Sequence, residues 1–345
     1  MSVEAAVERT VLRQQQTEAI VRQVQADVLL WLSLLRGEDL MRSWLHDVLP
    51  GLFAALVSGQ QSAATGASQF VAETARLMGL DAATGYQVAP AAFGGAAADG
   101  RPLTTMLTTP VLQGRLAIEQ RGQDPGWVMG QIRQRVLLMA NSEVTDAGRG
   151  AAQVAIAGTR GVTGYIRCIN AGACKRCAVL AGRWYRWNAD FMRHPRCHCY
   201  GIPAGEDRSR GRGRGRGSWR TDPRAYFDRL SVRDQNRLFG RGGAEAIRAG
   251  ADMASVVNAR RSASVLRRVD LGGGTIVTAT TEGTTRRGWY SHVRRELERI
   301  EGRPLNRLRL TPEAIFRLSA DREELVRLLG RHGYLVRMAA DIAAL

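Results

Sequence analysis

The sequence predicts an α+β fold that is mostly α: a helical N-terminal half, a small cysteine-rich β-hairpin module, and a basic, helical C-terminal region. Three observations predict it. Apolar residues recur at helical spacing through most of the first 158 residues, as at Val7, Val11, Val24 and Val28. β-Branched and aromatic residues then take over around Thr163-Gly-Tyr-Ile-Arg-Cys-Ile169. Four cysteines crowd into the 26 residues from Cys174 to Cys199, with only Cys168 elsewhere. At 345 residues, 45% hydrophobic and 23% charged, the chain has an ordinary globular balance and the length for two domains.

Taken in order, residues 2–36 read as one long helix that turns nearly all apolar from Val28, an end suited to burial or to a partner. Asp39 is placed to cap a second helix through Met41, Trp44, Leu45 and Val48, with Pro50 expected to interrupt it. A third helical pattern runs through Phe70, Thr74, Leu77 and Met78 to Gly79. Residues 80–102 are rich in Ala, Gly and Pro without period and read as a loop. Helical patterning returns at 103–121 and again from Asp124-Pro-Gly to about Ala157, where Asp124 as N-cap and Pro125 in the first turn form a start signal. Residues 1–158 therefore form a helical region.

Residues 159–205 form the Cys/His-rich module, with strands expected at 163–169, 183–187 and near 199–202, and a helical turn at 173–180. Residues 206–222 form an Arg/Gly-rich loop. The basic region 223–345 holds a capped helix after Ser231, one helix over 244–261, a β segment near 271–290, and helices opened by Thr311-Pro-Glu and by Asp321.

The cysteine pattern carries the chemistry. Cys174-x-x-Cys177 is followed, 19 residues on, by Cys197-x-Cys199, with His194 three residues before the second pair. A two-residue gap lets two thiolates bend onto one ion, and tetrahedral zinc asks for four N or S ligands. Cys174, Cys177, His194, Cys197 and Cys199 are five candidates for four places, and the module reads as zinc-knuckle-like with a structural zinc. A redox pair would account for the first cluster alone; small buried thiols would account for neither cluster's spacing.

Charge divides the chain. Residues 1–150 carry 12 Arg against 14 acids, a balance of −2, whereas residues 151–345 carry 37 Lys or Arg against 18 acids, a balance of +19. Such asymmetry points the C-terminal half at a polyanion, either nucleic acid or an acidic protein surface. Arg208, Arg210, Arg212, Arg214 and Arg216 alternate with Ser and Gly ahead of Trp219. That stretch has the chemistry to follow a phosphate backbone without reading bases, with Trp219 free to stack, and equally that of a solvated linker. The apolar run Val28–Leu35 is far too short to span a bilayer, and Glu4, Glu8 and Arg9 break any leader pattern, so the expected setting is a reducing cytoplasm without membrane. His-Glu-x-x-His and Gly-x-Ser-x-Gly are both absent, and adjacent Ser291 and His292 make a poor dyad.

Cys174-x-x-Cys177-x-x-Leu180-x-Gly182-x-x-Tyr185, closing with His194-Pro-Arg-Cys197-x-Cys199 and Pro203, resembles the core motif of the MuF-like head-morphogenesis proteins, minor capsid proteins of tailed bacteriophages. The stretches from Leu238-Phe-Gly to Arg261 and from Leu310-Thr-Pro to Tyr334 are similar to actinobacteriophage members. The resemblance covers about residues 150–340. It implies a portal-associated protein of the virion head interior, made in the host cytoplasm, that meets portal, capsid or scaffold proteins and possibly packaged DNA during head assembly or DNA delivery. Some members are labelled capsid maturation proteases, which is the alternative function; a sequence-nonspecific DNA-binding protein is the second.

Overall fold

The computed structural model describes residues 3–189, 197, 199–205, 218–285, 287–305 and 308–335. At 61% helix and 10% strand, with two small antiparallel sheets, the molecule is α+β and mostly α, as the periodicity predicts. By contacts the chain divides into two compact units, residues 1–171 with 182–221, and residues 172–181 with 222–345.

The first unit opens with α1 (Val3–Leu32) and the short α2 (Leu40–Arg42), which runs into a π-helical turn (Ser43–Val48) and then α3 (Leu49–Ala64). Pro50 does not interrupt this path, contrary to the sequence expectation. The backbone N–H of Leu49 bonds the Trp44 carbonyl five residues back, and Pro50 sits in the first turn of α3, where its missing donor leaves no bond broken. α4 (Ala67–Leu77), α5 (Leu103–Arg121) and α6 (Pro125–Gly158) complete the helices. Asp124 caps α6 by accepting the Trp127 N–H at 2.7 Å. Val128, Ile132, Val136, Ala140 and Val144 of α6 form one buried stripe. They share a core with Val28 and Leu32 of α1, Leu52 and Leu56 of α3, and Leu103 and Leu107 of α5. Trp44 is fully buried in it, its Nε1 donating to Thr108 Oγ1 at 3.0 Å. The apolar end of α1 is divided: Val28 and Leu32 are buried, whereas Leu29 and Leu30 are 52% and 66% exposed.

Three strands follow, β1 (Gly164–Cys168), then after α7 (Lys175–Ala178) β2 (Trp184–Arg186), and β3 (Tyr200–Ala204). β1 is central, antiparallel to both neighbours, with Tyr165 opposite Tyr185 on one side and Pro203 on the other. Cys168 and Ile202 pack on Ala6 and Val7 of α1, flanked by Leu77 and Met78. The sheet thus borrows its apolar partner from the helices. Gly182 has φ +73°, and a Cβ there would lie 2.0 Å from the Thr221 carbonyl, so only glycine fits this turn into β2.

The second unit contains α8 (Pro223–Arg229), α9 (Val232–Phe239), α10 (Arg241–Arg248) and α11 (Met253–Asn258). The single helix expected over 244–261 is broken, because Gly250 at φ +99° turns the chain and Asp252 starts α11 by accepting the Ser255 N–H at 2.7 Å. β4 (Leu266–Asp270) and β5 (Ile276–Thr280) pair across a turn in which Gly272, Gly273 and Gly274 all have positive φ. The strand signal expected near 271–290 therefore begins earlier and ends at Thr280. β4 was hidden by its two arginines and its exposed edge, and residues from Trp289 onward are helical. α12 (Trp289–Glu301), β6 (Arg309–Leu310), α13 (Pro312–Leu318) and α14 (Arg322–Arg331) complete the unit. Arg309 is its buried strut: Nε donates to the His332 carbonyl at 2.9 Å, Nη1 to the Glu282 carbonyl at 2.7 Å and Nη2 to Ser255 Oγ at 2.6 Å.

Candidate metal centre

Local structure presents each cysteine differently. Cys174 ends an extended segment and caps α7, its sulfur accepting the Cys177 N–H at 3.4 Å. Cys177 follows on α7 and is buried. Cys197 and Cys199 lead into β3 and are also buried. Arg149 of α6 donates to the Cys197 carbonyl, while its Nη1 pairs with Asp146 at 3.0 Å.

The sulfur atoms of Cys177, Cys197 and Cys199 all lie within 4.8 Å of one another, close enough to hold a metal ion. Thiolates around a tetrahedral ion at about 2.3 Å would sit about 3.8 Å apart, so a small inward movement closes the set. None of the five cysteines is in a disulfide. Three buried sulfurs at this spacing fit a thiolate-binding metal in chemistry and in reach. Of the five candidates named from the sequence, the structure brings these three together. Cys174 lies outside their mutual spacing, at the N-cap of α7, and His194 lies outside the described residues. Cys168 stands apart: burial in the apolar cluster beside α1 pushes its thiol up to about 12, which keeps it protonated and a poor ligand.

Arg208, Arg210, Arg212, Arg214 and Arg216 also lie outside the described residues. Trp219 is half-buried, and the Arg220 guanidinium stands 4.3 Å over its ring, covering one face. Ser291 and His292 turn to different partners: Ser291 Oγ donates to the Thr284 carbonyl at 2.9 Å, and His292 Nδ1 lies 3.2 Å from Arg295 Nη2. His332 is half-buried, accepts the Leu310 N–H at Nδ1, and is pushed down to about 3 by desolvation and then by Arg309 and Arg331. Arg149 is the residue at this centre that sequence reasoning missed. One arginine among 48 in an unbroken helical pattern has no local signature. No described helix is long and apolar enough to cross a membrane.

No protein-family model, curated protein or solved structure matches the chain.

Proposed function

We propose that the chain is a minor head protein of a tailed bacteriophage or prophage, of the head-morphogenesis type that its cysteine motif resembles, and that its thiols hold one structural zinc. The observation that carries the reading is the buried trio Cys177, Cys197 and Cys199, drawn from both halves of that motif. Cys177, Cys197 and Cys199 would bind the ion, with the fourth place filled by Cys174 or His194. Such a zinc supplies a closed cross-link to a segment with little apolar mass of its own. The chain's residues prepare it: the Cys177 N–H holds the Cys174 sulfur, and Arg149 holds the Cys197 main chain.

In this reading the helical N-terminal region docks on the portal or a capsid neighbour, for which the exposed Leu29, Leu30 and Leu34 offer apolar surface. The basic C-terminal region and the Arg/Gly stretch face scaffold or packaged DNA, without base specificity. The protein acts inside the head, near the portal, in assembly or DNA delivery.

Heads purified from cells making the wild-type chain or Cys199→Ser test this. The wild-type chain is expected in portal-containing heads with about one zinc per chain by elemental mass spectrometry. The variant is expected to lose the zinc and to be depleted from heads. A wild-type chain that is absent from heads overturns the functional reading, and one that is present without metal overturns the zinc alone.

A further inference from the structure

We infer that the helical unit carries a binding cavity for a small organic oxyanion with an aromatic body, a site that goes beyond the proposed head function. A cavity of about 370 Å³ opens where α1, α4, α6 and β3 converge. Two guanidiniums line it, those of Arg13 and Arg149. Arg13 is only 8% exposed; its Nη2 donates to the Ala63 carbonyl, and no carboxylate among the described residues reaches ion-pair distance. The Arg149 side chain is 9% exposed. Its Nη1 and Nη2 are taken by Asp146 and the Cys197 carbonyl, but its Nε–H is buried and finds no acceptor among the described residues.

Among the described residues one carboxylate, Asp146, is ion-paired with these two cations, and one charged donor is left over. Leaving such a donor unmatched costs more than an ordinary hydrogen bond contributes. Burial holds the Arg13 guanidinium below its ordinary value, the mark of a charge that lacks compensation in place. Tyr200 lies between the two: the Arg149 Cζ stands 5.3 Å over its ring.

Phe70, Phe93 and Tyr165 add aromatic surface to the remaining wall, beside Val154 and Ile156. A bare phosphate would fill a small part of this volume, which is of the size that small-molecule sites take. The complementary ligand presents an oxyanion to Arg149 Nε, Arg13 and the Tyr200 hydroxyl, and a ring to Phe70 and Phe93. Carboxylates and phosphates share that chemistry.

Calorimetric titration of the full chain tests it, with phenyl phosphate and phenylacetate as probes, inorganic phosphate as the bare anion and phenol as the bare ring. One aromatic anion is expected to saturate at one per chain, at least about tenfold tighter than either inorganic phosphate or phenol. Which of the two binds tighter names the head group, and either supports the site. Arg149→Lys keeps the charge and removes the Nε donor; with its fold verified by circular dichroism it should weaken binding about tenfold. Phe93→Ala, at the end of the short turn Pro90–Phe93, should narrow the preference over inorganic phosphate. No saturation by either aromatic anion overturns the proposal, as does a folded Arg149→Lys that binds like the wild type. If that variant fails to fold, an aromatic preference unchanged in Phe93→Ala overturns it.

Discussion

His332 shows how a single residue sets a response to acid. Its ring stacks on Tyr290, accepts the Leu310 N–H at 3.3 Å, and faces the guanidiniums of Arg309 and Arg331. Its folded value of about 3 lies below the ordinary 6.5, so the folded protein holds it neutral. Between those two values the unfolded chain takes up a proton that the folded chain refuses. Stability that is fully present above the ordinary value is therefore lost as pH falls toward 3, by up to about 1.4 kcal/mol per pH unit for this one group. His332→Asn keeps an acceptor near Leu310 and cannot titrate. Its stability, read from urea denaturation at pH values from about 6.5 down to about 4, is expected to fall less steeply than that of the wild type. Parallel slopes would remove His332 from the account of acid sensitivity. Nothing in the sequence around Arg331-His-Gly marks this histidine as desolvated, because its surroundings come from β6 and α12.

At the level of elements, local signals were legible where one short stretch decides the outcome. The Asp124-Pro125 start of α6 and the Ser231, Thr311 and Asp321 caps are each visible in the sequence and each present as a side chain accepting a backbone N–H. The differences from the sequence expectation share a cause. Pro50 predicts a stop because the π turn that accommodates it depends on Trp44 being buried against α5. The sequence predicts one helix over 244–261 because a lone Gly250 is tolerated in helices unless the fold demands a turn there. β4 pairs only through β5, so its own five residues carry little of its signal. The candidate site divided along the same line: cysteine spacing was legible, whereas Arg149 depends on α6 passing beside Cys197. Gly182 offers a test at this scale. Gly182→Ala combines φ +73° with a close approach to the Thr221 carbonyl, and is expected to cost more than about 2 kcal/mol. Gly100→Ala shares the positive φ but meets open space, so about 1 kcal/mol is expected. Comparable denaturation midpoints for the two would show that the Thr221 contact is not what fixes that turn.

For the whole molecule, the division of the chain matters more than its length. Residues 172–181 belong with 222–345 although both of their flanks belong to the first unit. Within the second unit the buried Tyr226 hydroxyl donates to the Ala173 carbonyl at 2.8 Å, and Arg176 donates to the Arg261 carbonyl. A fragment of residues 222–345 lacks the Ala173 carbonyl that accepts from Tyr226 and the Arg176 side chain that donates to Arg261. It is expected to exchange amide hydrogens around α8 at least about tenfold faster than the same segment in the full chain, the loss of about 1.4 kcal/mol. Equal protection would mean that residues 222–345 stand without the ten-residue segment.

The same interleaving bears on how the protein is made. During synthesis Cys174 and Cys177 leave the ribosome together with residues whose eventual neighbours begin at Asp222, so at least forty further residues must be translated before that segment can pack. At translation rates of about 5–20 residues per second, the segment that holds both thiols waits seconds for those neighbours. An oxidant or a stray metal present during that interval has its best access to the cysteines then, before α8 exists to cover the turn they occupy.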